Sequence, residues 1–309
     1  MTAKNTCPAE TDSVDSVSEP ENQPLTRNTY KKAVDRLLVK LTNSVEADSI
    51  HPYLEDHEVG AHDLSVDQFG NLLAVAVDIK ASFKENAYIP CPQNLLTIEP
   101  TGEYRLEAGA KFTGCAVMIG HKRLRQIARD RLARHEIFIT VDFATGAFLH
   151  EETGSPAVVA IKTCNTVKVH EILKSLFPNA YIVTCLNFES NKHRMRKKMI
   201  KAISESGGIA IVPRFTLKER FNGLISFNDQ AMFHQDRDQV IENILNLLQY
   251  DQDFRQDRFA EEEVKTAAES RNDSLGTGNE NDNFKIPQNK HRKKPIPRKP
   301  SACHQEVSL

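Results

Sequence analysis

EIFITVDFATGAFLHEETGSPAVVAIK, residues 136–162, decides the fold. From Ile137 to Val141 it is an apolar, β-branched run of strand length. FATGAFLHEET reads as a helix that Gly154 ends. AVVAIK is a second strand. A strand, a helix and a strand this close together form a parallel pair with a helical crossover.

The rhythm continues downstream. TVKVHEILKSLF (166–177) places Val169, Ile172, Leu173 and Leu176 on one helical face, and AYIVTCL (180–186) is a third strand. KHRMRKKMIKAISES (192–206) places Met195, Met199, Ala202 and Ile203 on one face, and GIAIVP (208–213) is a fourth strand. The strands are almost wholly apolar, which predicts a parallel sheet covered by helices on both faces. A last helix is predicted over Arg237–Gln249, with Val240, Ile244 and Leu248 inward.

Upstream the pattern loosens. A helix is predicted over 28–45, with Ala33, Leu37 and Leu41 at helical spacing. FGNLLAVAVDI (69–79) reads as a turn feeding a strand, LLTIEPTGEYRLE (95–107) as two strands around Pro-Thr-Gly, and FTGCAVMIG (112–120) as one more. The predicted organisation is α/β. A polar amino-terminal segment (1–27) precedes a helix with a small, mostly β subdomain (28–120), an α/β domain (121–249) and a charged tail (250–309). Both ends are expected to be disordered, because neither carries enough apolar surface to offset its chain entropy.

The chain of 309 residues has a net charge of -2, so its average charge selects no partner. Its six cysteines form no CxxC pair, which argues against a zinc site. Cys115, Cys164 and Cys185 sit in apolar runs and are expected as buried free thiols. No signal peptide pattern and no membrane-length apolar run occurs, which predicts a cytoplasmic protein without a membrane partner.

In an open α/β sheet ligands collect at the carboxyl ends of the strands. The loops there offer Asp142, Cys164 with Asn165, Asn187 with Glu189, and Arg214. None carries a glycine-rich phosphate loop. HEET (150–153) is not a zinc HExxH motif, and His150 and Glu151 read as surface or capping residues. Asp142, Asn187 and Glu189 have the oxygen chemistry of a Mg²⁺ site. The same residue types also favour turns and caps after strands.

Two stretches are strongly basic. HKRLRQIARDRLARH (121–135) holds six Lys or Arg and one acid, and its apolar stripe is Leu124, Ile127, Ala128 and Leu132. NKHRMRKKMIK (191–201) holds six Lys or Arg and no acid. On an amphipathic helix those bases face solvent and can exchange counterions for nucleic-acid phosphates. The predicted contacts are Lys122, Arg123, Arg125, Arg129, Arg194, Arg196, Lys197, Lys198 and Lys201, and DNA or RNA is the expected partner. Both clusters could flank one cleft. The tail at 285–300 adds seven Lys or Arg with no acid.

Several segments, in order, resemble a family. HPYLEDHEVGAHDLSVDQFGNLLAVAVD, EPTGEYRLEAGAKFTGCAVMIG, FATGAFLHEETGSPAVVAI, FPNAYIVTCLNFESN and GLISFNDQAMFHQDRDQV look like successive parts of the Toprim-containing primases encoded by plasmids and phages. The match runs from about residue 49 to 245. It implies a Toprim-like parallel sheet between helices, Mg²⁺-dependent phosphoryl transfer on nucleic acid, and replication proteins of a plasmid or phage as partners. The family uses a glutamate after the first core strand and an Asp-x-Asp pair after the third. Laid on that pattern, Val141 stands at the glutamate, Asp142 at the following glycine, and Asn187 and Glu189 at the acidic pair. The family often carries a zinc-binding module ahead of this region and a helicase domain after it, and neither is expected within these residues.

Fewer carboxylates predict weak or absent Mg²⁺ binding. Loss of the glutamate removes a general acid–base group, at about two to four orders of magnitude in rate. Asp229, within the FND segment, is a further acid the fold can bring near. The expected function is a nucleic-acid-binding protein related to mobile-element primases, with weakened or lost catalysis. An active DNA primase-type nucleotidyltransferase would use Asp142 and Glu189 in catalysis, with Asn187, Glu189 and Asp229 on the metal. A third reading is an interaction or secreted effector protein that reuses the fold, suggested by the basic tail and by EEE at 261–263.

Overall fold

The computed structural model describes residues 27–84, 87–132, 134–189 and 192–248. The expectations of disorder for 1–27 and for the tail beyond 250 lie outside the described residues, apart from Arg27, and so does Gln249.

The chain begins with α1 (Arg27–Thr42), which packs Leu37 and Leu41 on Leu73 and Leu95. Short elements follow: β1 (Val45–Glu46), α2 (Pro52–Asp56) and β2 (Ser65–Val66). The long β3 (Leu72–Asp78) leads to α3 (Ile79–Ser82) and a small hairpin, β4 (Phe83–Lys84) with β5 (Ala87–Tyr88). Then come β6 (Pro92–Ile98), β7 (Tyr104–Leu106) and β8 (Cys115–Ile119). β6 and β7 pair antiparallel across the Pro-Thr-Gly turn, as the sequence predicts.

From α4 (His121–Arg129) onward strands and helices alternate. β9 (Glu136–Thr140), α5 (Phe143–Thr153), β10 (Ala157–Val159), α6 (Thr166–Leu176), β11 (Tyr181–Cys185), α7 (His193–Glu205) and β12 (Ile209–Ile211) build the parallel block, ordered β10-β9-β11-β12. α8 (Leu217–Phe221), α9 (Phe227–His234) and α10 (237–248) complete the described chain.

The fold is therefore α/β, with a parallel block between helices preceded by antiparallel strands. The two halves share one sheet. β8 pairs antiparallel with β3 on one side, Val117 opposite Ala76, and with β10 on the other, Met118 opposite Val158.

Strand alternation assigns the two faces. Phe138, Val159 and Val183 point to the face covered by α5, α9 and α10, whose Phe148, Ala231, Val240 and Ile244 are buried there. Ile137, Ile139, Val158 and Ile182 point to the opposite face, covered by α4 and α6 through Leu124, Ile127, Val169 and Leu173.

Three local expectations are corrected. α4 ends at Arg129 because Asp130 leaves helical geometry (φ -123°, ψ 72°), so Leu132 is not in its apolar stripe and is 79% exposed. Met195 lies in the first turn of α7, ahead of the buried Met199 and Ile203, and is 36% exposed. Cys164 sits in a 3₁₀ turn (Thr163–Asn165) and is exposed, whereas Cys115 and Cys185 are buried as expected.

Candidate functional site

The carboxyl ends of β9, β10 and β11 open into a cleft of about 270 Å³. Asp142, Asn187 and Asp229 all line it, and each is held by its own local structure. Asp142 is the N-cap of α5. Its Oδ1 accepts the backbone N–H of Thr145 at 2.7 Å, which satisfies one of the helix's free donors. Asp229 belongs to the capping box of α9. Its Oδ2 accepts the backbone N–H groups of Ile225 and Ser226, both at 2.9 Å, while Ser226 Oγ accepts the N–H of Asp229.

Asn187 joins the first of these to the β11 loop. Its Nδ2 donates to Asp142 Oδ2 at 3.2 Å. Asp142 keeps some exposure to the cleft, but protein surrounds it densely enough that burial pushes its carboxyl above the ordinary range. The hydrogen bonds from Thr145 and Asn187 oppose that shift, and the charge of Asp229 adds to it.

Sequence reasoning missed the cleft's other wall. Tyr104 Oη accepts the N–H of Phe143 at 2.8 Å and hydrogen-bonds Tyr53 Oη at 2.8 Å. Burial raises both phenols, so they stay protonated as hydrogen-bonding groups. Tyr53 belongs to the HPYL segment, whose role was legible only as resemblance. Ile161 also lines the cleft, with φ 69°, and the N–H of Lys162 bonds back to the carbonyl of Ala160 across it at 2.8 Å. A β-branched residue in the left-handed region stores about 1–3 kcal/mol of strain, and such residues concentrate at functional clefts.

Glu189 is not part of this cleft's lining. Its carboxylate pairs with Lys192 at 2.5 Å and accepts from Thr163 Oγ1 at 3.4 Å. The structure thus brings together Asp142, Asn187 and Asp229, and leaves Glu189 on α7's approach.

This donor set does not fit Mg²⁺. Both oxygens of Asp142 and one of Asp229 already accept protein N–H groups. Asn187 turns a donor, not a lone pair, toward Asp142. Val141, which also lines the cleft, is buried hydrocarbon and offers no ligand. Among the described residues no three His, Cys, Asp or Glu side chains gather so as to hold a metal ion. Two facing carboxylates require a cation between them; a carboxylate facing an amide supplies its own donor.

The nine predicted bases all lie on α4 or α7. All are exposed except the half-buried Arg196. Among the described residues only Lys201 pairs with a carboxylate, Glu205 at 3.6 Å. The two helices do not flank one cleft. The α4 connection starts and ends at the amino edge of the parallel strands, where Ile119 pairs with Ala157, the first residue of β10. α7 starts at the carboxyl edge, beside the cleft loops.

No family model matches the chain, and no curated protein sequence matches it. Among solved structures it is similar to the primase fragment of the bacteriophage T7 primase-helicase protein, at 7% sequence identity and a TM-score of 0.43, over 65% of this chain and 74% of that one.

Proposed function

We propose that this protein is a Toprim-like, nucleic-acid-binding protein that works without a catalytic metal. The observation that carries the reading is the row of bases on α7, which begins at the carboxyl edge of the sheet and in which Arg194, Arg196, Lys197 and Lys198 have no carboxylate partner among the described residues. Solvated cations without carboxylate partners are free to neutralise phosphates, which releases the counterions condensed on the nucleic acid with a gain in entropy. The Asn187–Asp142 hydrogen bond supports the second half of the reading, because it fills the cleft's central carboxylate with a protein donor.

The test is a titration of labelled single- and double-stranded oligonucleotides across a range of salt, with EDTA or with Mg²⁺ at matched ionic strength. Binding in EDTA that weakens steeply with salt is expected. No binding at low salt would reject the function, and binding or strand synthesis only with Mg²⁺ or Mn²⁺ would restore the enzymatic alternative.

A further inference from the structure

One residue after Asn187, Phe188 lines a separate open cavity of about 550 Å³ next to the edge strand β12. Three arginines from different segments converge there: Arg196 from α7, Arg214 from the loop after β12, and Arg220 from α8. The guanidinium carbons of Arg196 and Arg220 each lie 4.8 Å from the centre of the Phe188 ring. Phe215 meets that ring edge-on, with centroids 5.6 Å apart and planes at 89°. Arg196 is fixed further by donating from Nη1 to the carbonyl of Glu189 at 3.0 Å.

Three like charges repel, and among the described residues none of the three has a carboxylate within ion-pair distance. The ring's negative face offsets part of that repulsion and holds the guanidinium planes in place. Two guanidinium planes held on one ring, with a third beside them and no carboxylate partner, are complementary to a tetrahedral oxyanion. The remaining wall is apolar, built by Ile211, Pro213 and Leu247. The volume is that of a small-molecule site.

We infer that this cavity binds one nucleotide unit, with its phosphate on Arg196, Arg214 and Arg220 and its base against the apolar wall. The unit can belong to a single strand or to a free nucleoside triphosphate; the first source rests on the function proposed above, the second does not. Glu219 is a positioning residue for the site. It is buried next to Arg220, its carboxylate accepts from Thr216 N and Oγ1 at 2.6 Å, and it joins His234 of α9 at 2.9 Å, which locks α8 in place.

The experiment compares intact wild-type protein, Arg214→Gln/Arg220→Gln, Phe188→Leu and the α4 variant Lys122→Gln/Arg125→Gln. The probes are a fluorescent oligothymidylate and a fluorescent ATP analogue, with circular dichroism to confirm folding. The substituted arginines are exposed, so the double variant is expected to fold. It should lose about ten-fold or more in affinity for at least one probe, the size of a lost charged hydrogen bond, while the α4 variant keeps its ATP affinity. Phe188→Leu keeps an apolar side chain and all three charges but removes the ring under Arg196 and Arg220, and should weaken the same probe less. Loss on the oligonucleotide alone assigns the site to a strand, and loss on ATP alone assigns it to a free nucleotide. Strand binding that persists unchanged in the double variant, with no ATP bound by wild type, overturns the cavity site and leaves the proposed function standing. ATP bound through the cavity without any strand binding does the reverse. Wild type that binds neither probe overturns both.

Discussion

At the scale of single residues, the account turns on position 187. Asn187→Asp would set a second carboxylate 3.2 Å from Asp142 Oδ2, in a site where burial already disfavours charge. The variant should be destabilised at neutral pH by about 1–3 kcal/mol, and Mg²⁺ should raise its melting temperature while leaving wild type unmoved. An equal Mg²⁺ response in wild type would show that the native cleft takes metal. Glu219 makes a prediction of a different kind. Burial pushes its carboxyl up, but the hydrogen bonds from Thr216, His234 and Gln230 outweigh burial and hold it down to about 2. A carboxyl depressed in the fold stabilises it fully above its ordinary value of 4.5, and that contribution fades as pH falls toward 2. Thermal melts from neutral to acid pH should therefore fall more steeply for wild type than for Glu219→Gln, which should already be weaker at pH 7.

At the scale of elements, the helices that carry charge are the ones to alter. Arg194→Gln/Lys197→Gln/Lys198→Gln removes exposed bases from the start of α7 and should flatten the logarithmic salt slope of binding by about 2–3, with little change in melting temperature. An unchanged slope places the contacts elsewhere. The elements themselves were largely legible in the sequence. Near-continuous apolar strands separated by helices at 3.6-residue spacing foretold β9 through β12, because that pattern is local. What failed was the extent of the pattern. Leu132 continues the spacing of α4, but the helix stops at Arg129. The caps were also written locally, in Thr216-x-x-Glu219 and Ser226-x-x-Asp229, and Asp229 was read for charge when its geometry is that of a cap.

At the scale of the whole molecule, long-range pairing is what the sequence left unread. Nothing local marks β8 as the strand that joins β3 to β10, since its partners lie 37 or more residues away in the chain. The strands of the expected small β subdomain continue the parallel block as one sheet. A fragment of residues 121–248 would expose the edge of β10 and remove Leu72, Leu96 and Ile119 from the shared core. It should fail to fold or should aggregate, whereas a fragment with a cooperative melt would mean that the halves are independent. The Phe188 cavity was hidden for the same reason: Arg196, Arg214 and Arg220 meet only once β12 and α8 are in place.

The fold thus gathers Asp142, Asn187 and Asp229 at the carboxyl edge of its parallel strands, meets the carboxylate of Asp142 with an amide, and leaves exposed bases along α7. The most direct test is strand binding by wild-type protein in EDTA and in Mg²⁺ at equal ionic strength, followed across a salt series. Binding in EDTA with a steep salt slope and no strengthening by Mg²⁺ is the predicted result. Binding that appears only when Mg²⁺ is present would contradict it.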